Sequence, residues 1–92
     1  MTTQDKIISI LKTQLTAQHV EVTDQSSLHD GHLEAQKSGG GHYAIIVVST
    51  RFADKNLLER HRMVYQVLQK ELQGDIHALS IKALSPEEYS LN

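Results

Sequence analysis

The sequence predicts a small α+β domain in which a three-stranded mixed sheet is covered by helices. Three observations predict this class. The 92 residues are enough for one hydrophobic core, so a single domain spanning residues 1–92 is expected. Apolar residues alternate between helical and strand spacing along the chain. Helix-start signals precede each helical segment, and the resulting order of helix, strand, strand, helix, strand and short helix is typical of α+β domains.

The first helix is predicted over Asp5–Leu15, where apolar residues recur on one helical face. Thr2 and Asp5 resemble a capping box at its start. His19 is expected at the end of this helix, where an imidazolium interacts favourably with the helix dipole. Residues 19–24 alternate apolar with polar side chains, which predicts a half-buried first strand.

The longest loop is predicted over residues 26–41, which are rich in serine and glycine and contain few apolar side chains. Loops longer than about 12 residues are uncommon in compact domains and are often functional. The run Tyr43–Val48 that follows is continuous in β-branched, aromatic and other apolar residues, which predicts a central strand covered on both faces. Because only a loop joins the first two strands, we expect them to pair antiparallel.

The second long helix is predicted to start at Asn56, with Glu59 completing a capping signal, and to end before Gly74. Its apolar stripe at helical spacing has two further apolar residues, Leu58 and Tyr65, beside it. The stripe consists of Leu57, His61, Val64, Leu68 and Leu72.

The last strand is predicted over Ile76–Ala83, with His77, Leu79 and Ile81 on one face. A helix separates it from the second strand, so we expect the two to run parallel through a right-handed crossover if they are neighbours. Ser85 and Pro86 supply the cap and the first-turn proline of a short C-terminal helix.

Composition excludes several kinds of chemistry. The chain has no cysteine, so it forms no disulfide, thiolate zinc site or cysteine nucleophile of its own. A formal net charge of −2 argues against generic binding of polyanions. Residues 39–41 are three glycines without the Lys-Ser or Lys-Thr of a P-loop, and they precede a strand where that motif requires a helix. No nucleophile elbow or paired-acid constellation stands out, so we expect no enzyme.

The N-terminus lacks the basic flank and apolar stretch of a signal peptide, and no apolar run reaches the length of about 18 residues that a membrane span requires. A cytoplasmic protein without a membrane partner is therefore expected.

Six histidines are unusual for this length, and histidine is both a near-neutral titrating group and a common metal ligand. His29 and His32 lie three residues apart in the predicted loop, and their spacing suits either a shared metal or two solvated side chains. His42 is expected to have a structural or hydrogen-bonding role. His77, near the start of its strand, is equally suited to a ligand or a core position.

His61 lies on the apolar stripe of the second helix, between Arg60 and Arg62. A histidine in such a position is most often a structural, hydrogen-bonded core residue. The two flanking arginines are then expected to face solvent.

Several segments resemble motifs of the BolA family, in the same order along the chain. The resemblance covers about residues 5–89. Mild departures are Tyr43 and Tyr89 where the family has Phe and Trp, and Asp54 where it has Gly. The matching segments are Asp24–His29, His42–Tyr43, Val47–Phe52, Arg60–Tyr65, Glu71–Leu72, Ile76–Ala83 and Ser85–Tyr89.

The resemblance implies a class-II-KH-like BolA fold with helices on one side of the sheet, and partnership with monothiol glutaredoxins. In such heterodimers the two proteins share a [2Fe–2S] cluster, with cysteine and glutathione sulfur coming from the glutaredoxin side. His77 matches the histidine that the family offers after its long helix. His29 is the positional match for the second ligand, and His32 is a nearby alternative. Replacing thiolates by neutral imidazoles raises the reduction potential, as in Rieske centres.

The resemblance also implies a second class of function, because some family members are DNA-binding transcription regulators. The segment Arg60–Arg62 would then be the recognition element. Lys55, Arg60, Arg62 and Lys70 are the expected nucleic-acid-binding residues, although Glu59 and Glu71 interrupt this basic face. A bare metal-binding or structural module ranks third, and the sequence leaves open whether the free protein forms a homodimer.

Overall fold

The fold, described here from a computed structural model that covers residues 2–25 and 41–91, has the predicted class and element order. Two long helices, two short helices and three strands follow one another in these parts of the chain. They are α1 (Thr3–Gln14), β1 (His19–Asp24), β2 (Gly41–Val48), α2 (Leu57–Val67), α3 (Gln69–Leu72), β3 (Ile76–Leu84) and α4 (Pro86–Ser90). A short 3-10 turn, Thr50–Phe52, follows β2.

The three strands form one mixed sheet in the order β1-β2-β3. β1 runs antiparallel to β2, and β2 runs parallel to β3, as the connections predicted. The β2–β3 register is regular apart from one step. Gly41 pairs with Ile76, but the next residue, His42, pairs with Ala78. His77 is therefore the extra residue of a β-bulge.

The hydrophobic core lies between one face of the sheet and the two long helices. Ile7 and Leu11 of α1 and Val64 of α2 are fully buried. Alternate residues of β2 contact them from the sheet, because successive side chains of a strand point to opposite faces. These residues are Tyr43, Ile45 and Val47.

The prediction that β2 is covered on both faces is wrong for most of its length. Ala44 and Ile46, on the opposite face, are only half-buried. Both long helices contribute to a core on the same side of the sheet, so within residues 2–25 and 41–91 no helix covers the other side to a comparable extent. Val48 is the exception, since it is 2% exposed at the end of the strand.

Side-chain caps start both long helices and the C-terminal helix, as the sequence predicted. Thr2, Asn56 and Ser85 each accept a hydrogen bond from the backbone N–H three residues later, and each belongs to a capping box. Because a capping box supplies partners for N–H groups that lack one inside the helix, these residues fix where each helix begins.

The predicted second helix differs in two respects. It is interrupted at the buried Leu68, so α2 and α3 are separate. Leu57 was expected on the core stripe but is 67% exposed, because the part of α2 that packs against the core begins at Met63.

His19 is the first residue of β1 and not a helix-end residue, which corrects the sequence prediction. The chain leaves α1 at Leu15, and Thr16 adopts a left-handed conformation with φ of 52°. His19 then pairs with Val48 in the sheet. Its Nε2 lies 2.7 Å from Oε2 of Glu21, and its ring centroid lies 5.1 Å from that of Tyr89 in α4.

The segment after β2 caps the C-terminus of α1. The fully buried Ser49 donates its hydroxyl to the Leu15 carbonyl at 2.6 Å and accepts the Arg51 N–H at 3.1 Å. The Arg51 guanidinium donates to the Gln14 carbonyl at 2.8 Å. These bonds satisfy carbonyl groups that the end of a helix leaves without intrahelical partners.

Candidate functional site

The β-bulge sets the position of His77. A regular strand would place His77 on the same face as Leu79 and Ile81, as the sequence predicted. Because the bulge inserts one residue, Ile76 occupies the buried position and is 2% exposed, whereas His77 is exposed. Bulges of this kind re-aim side chains and are frequent beside functional sites. The imidazole of His77 is thereby accessible at the start of β3.

His42 lies next to His77 across the two parallel strands. The centroids of the two imidazole rings are 5.2 Å apart, and the ring planes are inclined by 41°. His42 is half-buried. The sequence prediction for His42 did not include this proximity. The sequence did contain a signal for this proximity. His42 and His77 lie at the starts of two strands that were expected to run parallel, and parallel pairing brings the starts of two strands to the same end of a sheet.

A shallow cavity of about 170 Å³ lies beside the two histidines, lined by Gln25, His42, Tyr43 and residues 78–80. The backbone N–H of Gln25 donates to the His42 carbonyl at 2.7 Å. Gln25 precedes segment 26–40, and Gly41 follows it. Both attachment points of that segment are therefore at the His77 end of the sheet. His29 and His32 belong to the segment and lie outside the described residues.

Gly41 is required by close packing at the bulge. A Cβ atom on Gly41 would lie 2.5 Å from Cε2 of Tyr43, whose side chain belongs to the core. The Gly41 N–H also donates to the Asp75 carbonyl at 2.9 Å. The close approach of the Tyr43 ring and this hydrogen bond fix the start of β2 beside the bulged start of β3.

Among residues 2–25 and 41–91, no group of three or more His, Asp or Glu side chains could hold a metal ion. The described part of the site therefore offers two imidazoles and not a complete coordination shell. Imidazole is a donor that a [2Fe–2S] centre accepts, as in Rieske centres. The exposed imidazole of His77 therefore suits a shared cluster, whose other ligands would come from outside the described residues.

The basic residues of the alternative site are not equivalent. Lys55, Arg62 and Lys70 are exposed. Arg60 was expected to face solvent, but its side chain is only 12% exposed. Its guanidinium donates to the carbonyls of Lys55 at 2.9 Å and Ala83 at 3.0 Å. The reason is that α2 packs beside the end of β3, where Arg60 meets a carboxylate of α4.

That carboxylate belongs to Glu88, which accepts two hydrogen bonds from Arg60, at 2.6 and 3.3 Å. Glu88 also accepts the backbone N–H of Ser85 at 2.8 Å. The hydrogen bonds from Arg60, followed by that from Ser85, lower the pKa of Glu88 from 4.5 to about 2. Arg60 and Glu88 thus join α2, β3 and α4.

His61, which the sequence predicted to be a structural, hydrogen-bonded core residue, is half-buried. The expected hydrogen bond is not found at one of its ring nitrogens. Within the part of the chain that the structure describes, the buried Nε2 has no hydrogen-bond partner.

Residues 11–88 match the family model described as BolA-like protein. The chain belongs to this family. The structural comparison agrees, since the BolA domain of SufE1 from Arabidopsis thaliana superposes with a TM-score of 0.80 at 37% identity, over 96% of each chain.

Curated BolA relatives differ in length and in the names they carry. The chain is 43% identical over 79 residues to Protein BOLA2 of Arabidopsis thaliana, which covers 82% of this chain and 84% of that protein. It is 40% identical over 82 residues to SufE-like protein 1 of the same plant, over 85% of this chain and 22% of the relative. It is 29% identical over 89 residues to the DNA-binding transcriptional regulator BolA of Escherichia coli, over 97% of this chain and 81% of the regulator.

This chain spans only 22% of SufE-like protein 1 and 50% of Protein BOLA1 of Arabidopsis thaliana. The names of those two relatives place them in chloroplasts or mitochondria. The predicted cytoplasmic location is therefore not established by the comparisons. No helix in the described ranges is both long and apolar enough to cross a membrane.

Proposed function

We propose that this BolA-family chain is a non-enzymatic adaptor that binds a monothiol glutaredoxin and shares a [2Fe–2S] cluster with it through histidines. Its role would lie in iron–sulfur cluster trafficking or iron sensing. The observation that carries the proposal is the bulge that exposes His77 at the end of the sheet where segment 26–40 begins and ends. That segment contains His29, the proposed second ligand, and His32, its alternative.

The division of ligands follows from the composition. The chain contains no cysteine, so any thiolate ligand of the cluster must come from glutaredoxin and glutathione. An exposed imidazole suits such a shared site, because the partner has to approach the same cluster from outside. When bound, the cluster would be a one-electron redox group whose potential is raised by neutral imidazole ligands.

The test is to reconstitute the heterodimer from this chain, a monothiol glutaredoxin, glutathione, ferric iron and sulfide. We expect visible absorption and circular dichroism that differ from those of the glutaredoxin homodimer. His77→Ala should abolish the difference and His29→Ala should weaken it.

His19→Ala is the matched control for these variants. His19 pairs with Val48, at the end of β2 far from His42, so the heterodimer spectrum should be unchanged. A spectrum that survives both His77→Ala and His29→Ala would refute the ligand assignment.

DNA binding is the second candidate, and it is favoured by the similarity to the Escherichia coli regulator. On this alternative Arg62→Ala and Lys70→Ala should weaken binding to promoter DNA and reduce its dependence on salt. Arg60→Ala should act through stability, because its guanidinium is engaged by Glu88. Absence of binding at low salt would rule out the candidate.

A further inference from the structure

We propose that His42 and His77 together form a binding site for a divalent transition-metal ion, with Zn²⁺ as the reference ion, in this chain alone. The inference goes beyond the proposed function because it requires no glutaredoxin and no ligand from segment 26–40. It also gives His42 a role that neither the sequence nor the family comparison assigns. The observation behind it is the contact between the two imidazole rings at the end of the sheet where β2 and β3 begin.

The spacing of the two rings matches the geometry of a shared ion. Zinc binds imidazole nitrogen at about 2.0–2.1 Å with tetrahedral angles. Two imidazoles bound to one such ion therefore have ring centroids roughly 5 Å apart. The observed separation between the ring centroids of His42 and His77 is 5.2 Å, so the two strands already hold the rings at the separation that a shared ion requires.

The strands also hold both histidines in place. His42 follows Gly41, whose N–H is bonded to the Asp75 carbonyl, and the carbonyl of His42 itself accepts the Gln25 N–H. Side chains placed on strands are positioned more precisely than those placed on loops. His77 is exposed and His42 is half-buried, so an ion can reach the pair from solvent.

The donor chemistry selects the class of ion. Imidazole suits Zn²⁺, Cu²⁺ and Ni²⁺, whereas Mg²⁺ prefers oxygen ligands. Two protein ligands leave coordination positions for water, which is the arrangement of an open site and not of a closed structural one. Binding should therefore be weaker than at a four-ligand site, and chelators should reverse it without unfolding the chain.

The experiment is isothermal titration calorimetry of the full chain alone with Zn²⁺, followed by NMR of the histidine ring protons. We expect one bound ion and perturbed ring signals for both His42 and His77. His42→Ala and His77→Ala should each lower the affinity about ten-fold or more, since loss of even a hydrogen-bond partner of a metal ligand costs roughly 10- to 100-fold. His42→Gln should behave like His42→Ala, and circular dichroism should show both variants folded.

Two controls accompany the experiment. His19→Ala should retain the zinc affinity of the unmodified chain, and Mg²⁺ should not bind to the unmodified chain. The proposal is overturned if Zn²⁺ does not bind, or if His42→Ala and His42→Gln retain the full affinity. Zinc binding that is lost in His29→Ala but retained in His42→Ala would likewise overturn it, by assigning the ion to segment 26–40.

The result can be separated from the test of the proposed function. The cluster ligands proposed above are His77 and His29, so His42→Ala should leave the spectrum of the glutaredoxin heterodimer in place. Failure of zinc binding with an intact heterodimer spectrum rejects only the His42–His77 ion site. Absence of the heterodimer with intact zinc binding rejects only the adaptor function.

Discussion

The two ends of the β2–β3 strand pair use their polar side chains differently. At the end where β3 finishes, Arg60 donates to Glu88 and to the Ala83 carbonyl, and Glu88 also accepts the Ser85 N–H. We call this the closed end. At the other end, where β2 and β3 begin, the rings of His42 and His77 lie side by side, and His77 is exposed. We call this the open end. The difference separates side chains that maintain the fold from an exposed histidine, His77, that a ligand can reach.

The largest expected loss of stability comes from Arg60→Ala at the closed end. The substitution removes charge-assisted hydrogen bonds to two carbonyls and a carboxylate. We expect the free energy of unfolding to fall by about 2 to 3 kcal/mol, since hydrogen bonds to charged groups are worth about 1.5–3 kcal/mol. Urea denaturation of the two proteins measures this difference in the free energy of unfolding. Arg62→Ala on the exposed side of the same helix should change stability by less than about 0.5 kcal/mol, and equal losses in the two variants would contradict the role of Arg60.

Gly41→Ala should be costly although Gly41 lies at the open end. The added methyl group would lie within 3 Å of the Tyr43 ring, so the ring has to shift within the core. Overpacking of this kind costs about 1 to 2 kcal/mol. Gly74→Ala is the matched control, since nothing lies within 4 Å of its added Cβ. If both glycine variants are equally stable by urea denaturation, the close packing at the bulge is not a constraint.

The closed end should also weaken in acid. The pKa of Glu88 is lowered to about 2 from 4.5, so between these values the unfolded chain binds more protons than the folded chain, and stability rises with pH. The contribution of Glu88 is complete above about pH 4.5 and is lost as pH falls toward 2. Denaturation across this range should show a shallower pH dependence for Glu88→Gln than for the unmodified chain. An identical slope in the two proteins would contradict the assigned pKa.

The smallest stability effect is expected for His77→Ala. Its side chain is exposed at the bulge, and exposed substitutions usually change stability by less than about 0.5 kcal/mol. Thermal denaturation should therefore give a midpoint close to that of the unmodified chain, while the distinctive spectrum of the glutaredoxin heterodimer is lost and the zinc affinity falls. A large fall in the midpoint would mean that His77 maintains the fold, and the contrast between the two ends would fail.

The helix starts could be predicted because their signals are local. Thr2 with Asp5 and Asn56 with Glu59 form the expected capping signals over three residues. Ser85 is the expected N-cap and, in the structure, forms a capping box with Glu88. The apolar run of β2 likewise identified a central strand. Coverage of its second face could not be inferred from this run, because it depends on which side of the sheet the helices pack.

The candidate site was only partly predictable, because its geometry depends on contacts between distant segments. Alternation along β3 placed His77 with Leu79, and only the paired register reveals the bulge. The neighbour of His77 is His42, which belongs to another strand. In the same way, Arg60 was expected in solvent because its carboxylate partner lies in a separate helix.

At one backbone position the structure explains a difference between this sequence and the expected family motif. Asp54, where the resemblance to the BolA family led us to expect glycine, has a φ of 64°. Aspartate tolerates this left-handed conformation better than most residues with a side chain. The substitution therefore keeps the turn that follows β2.

The parallel pairing of β2 and β3 also has a consequence for how the protein folds. β1 and β2 can pair with each other directly, but His42 meets His77 only when the chain that contains α2 and α3 has crossed back to the sheet. Contacts between residues far apart in sequence form late, because closing the intervening chain costs entropy before they contribute. Proximity of the two rings therefore reports completed folding, and a chain still being synthesised cannot present this pair of imidazoles until β3 has been added.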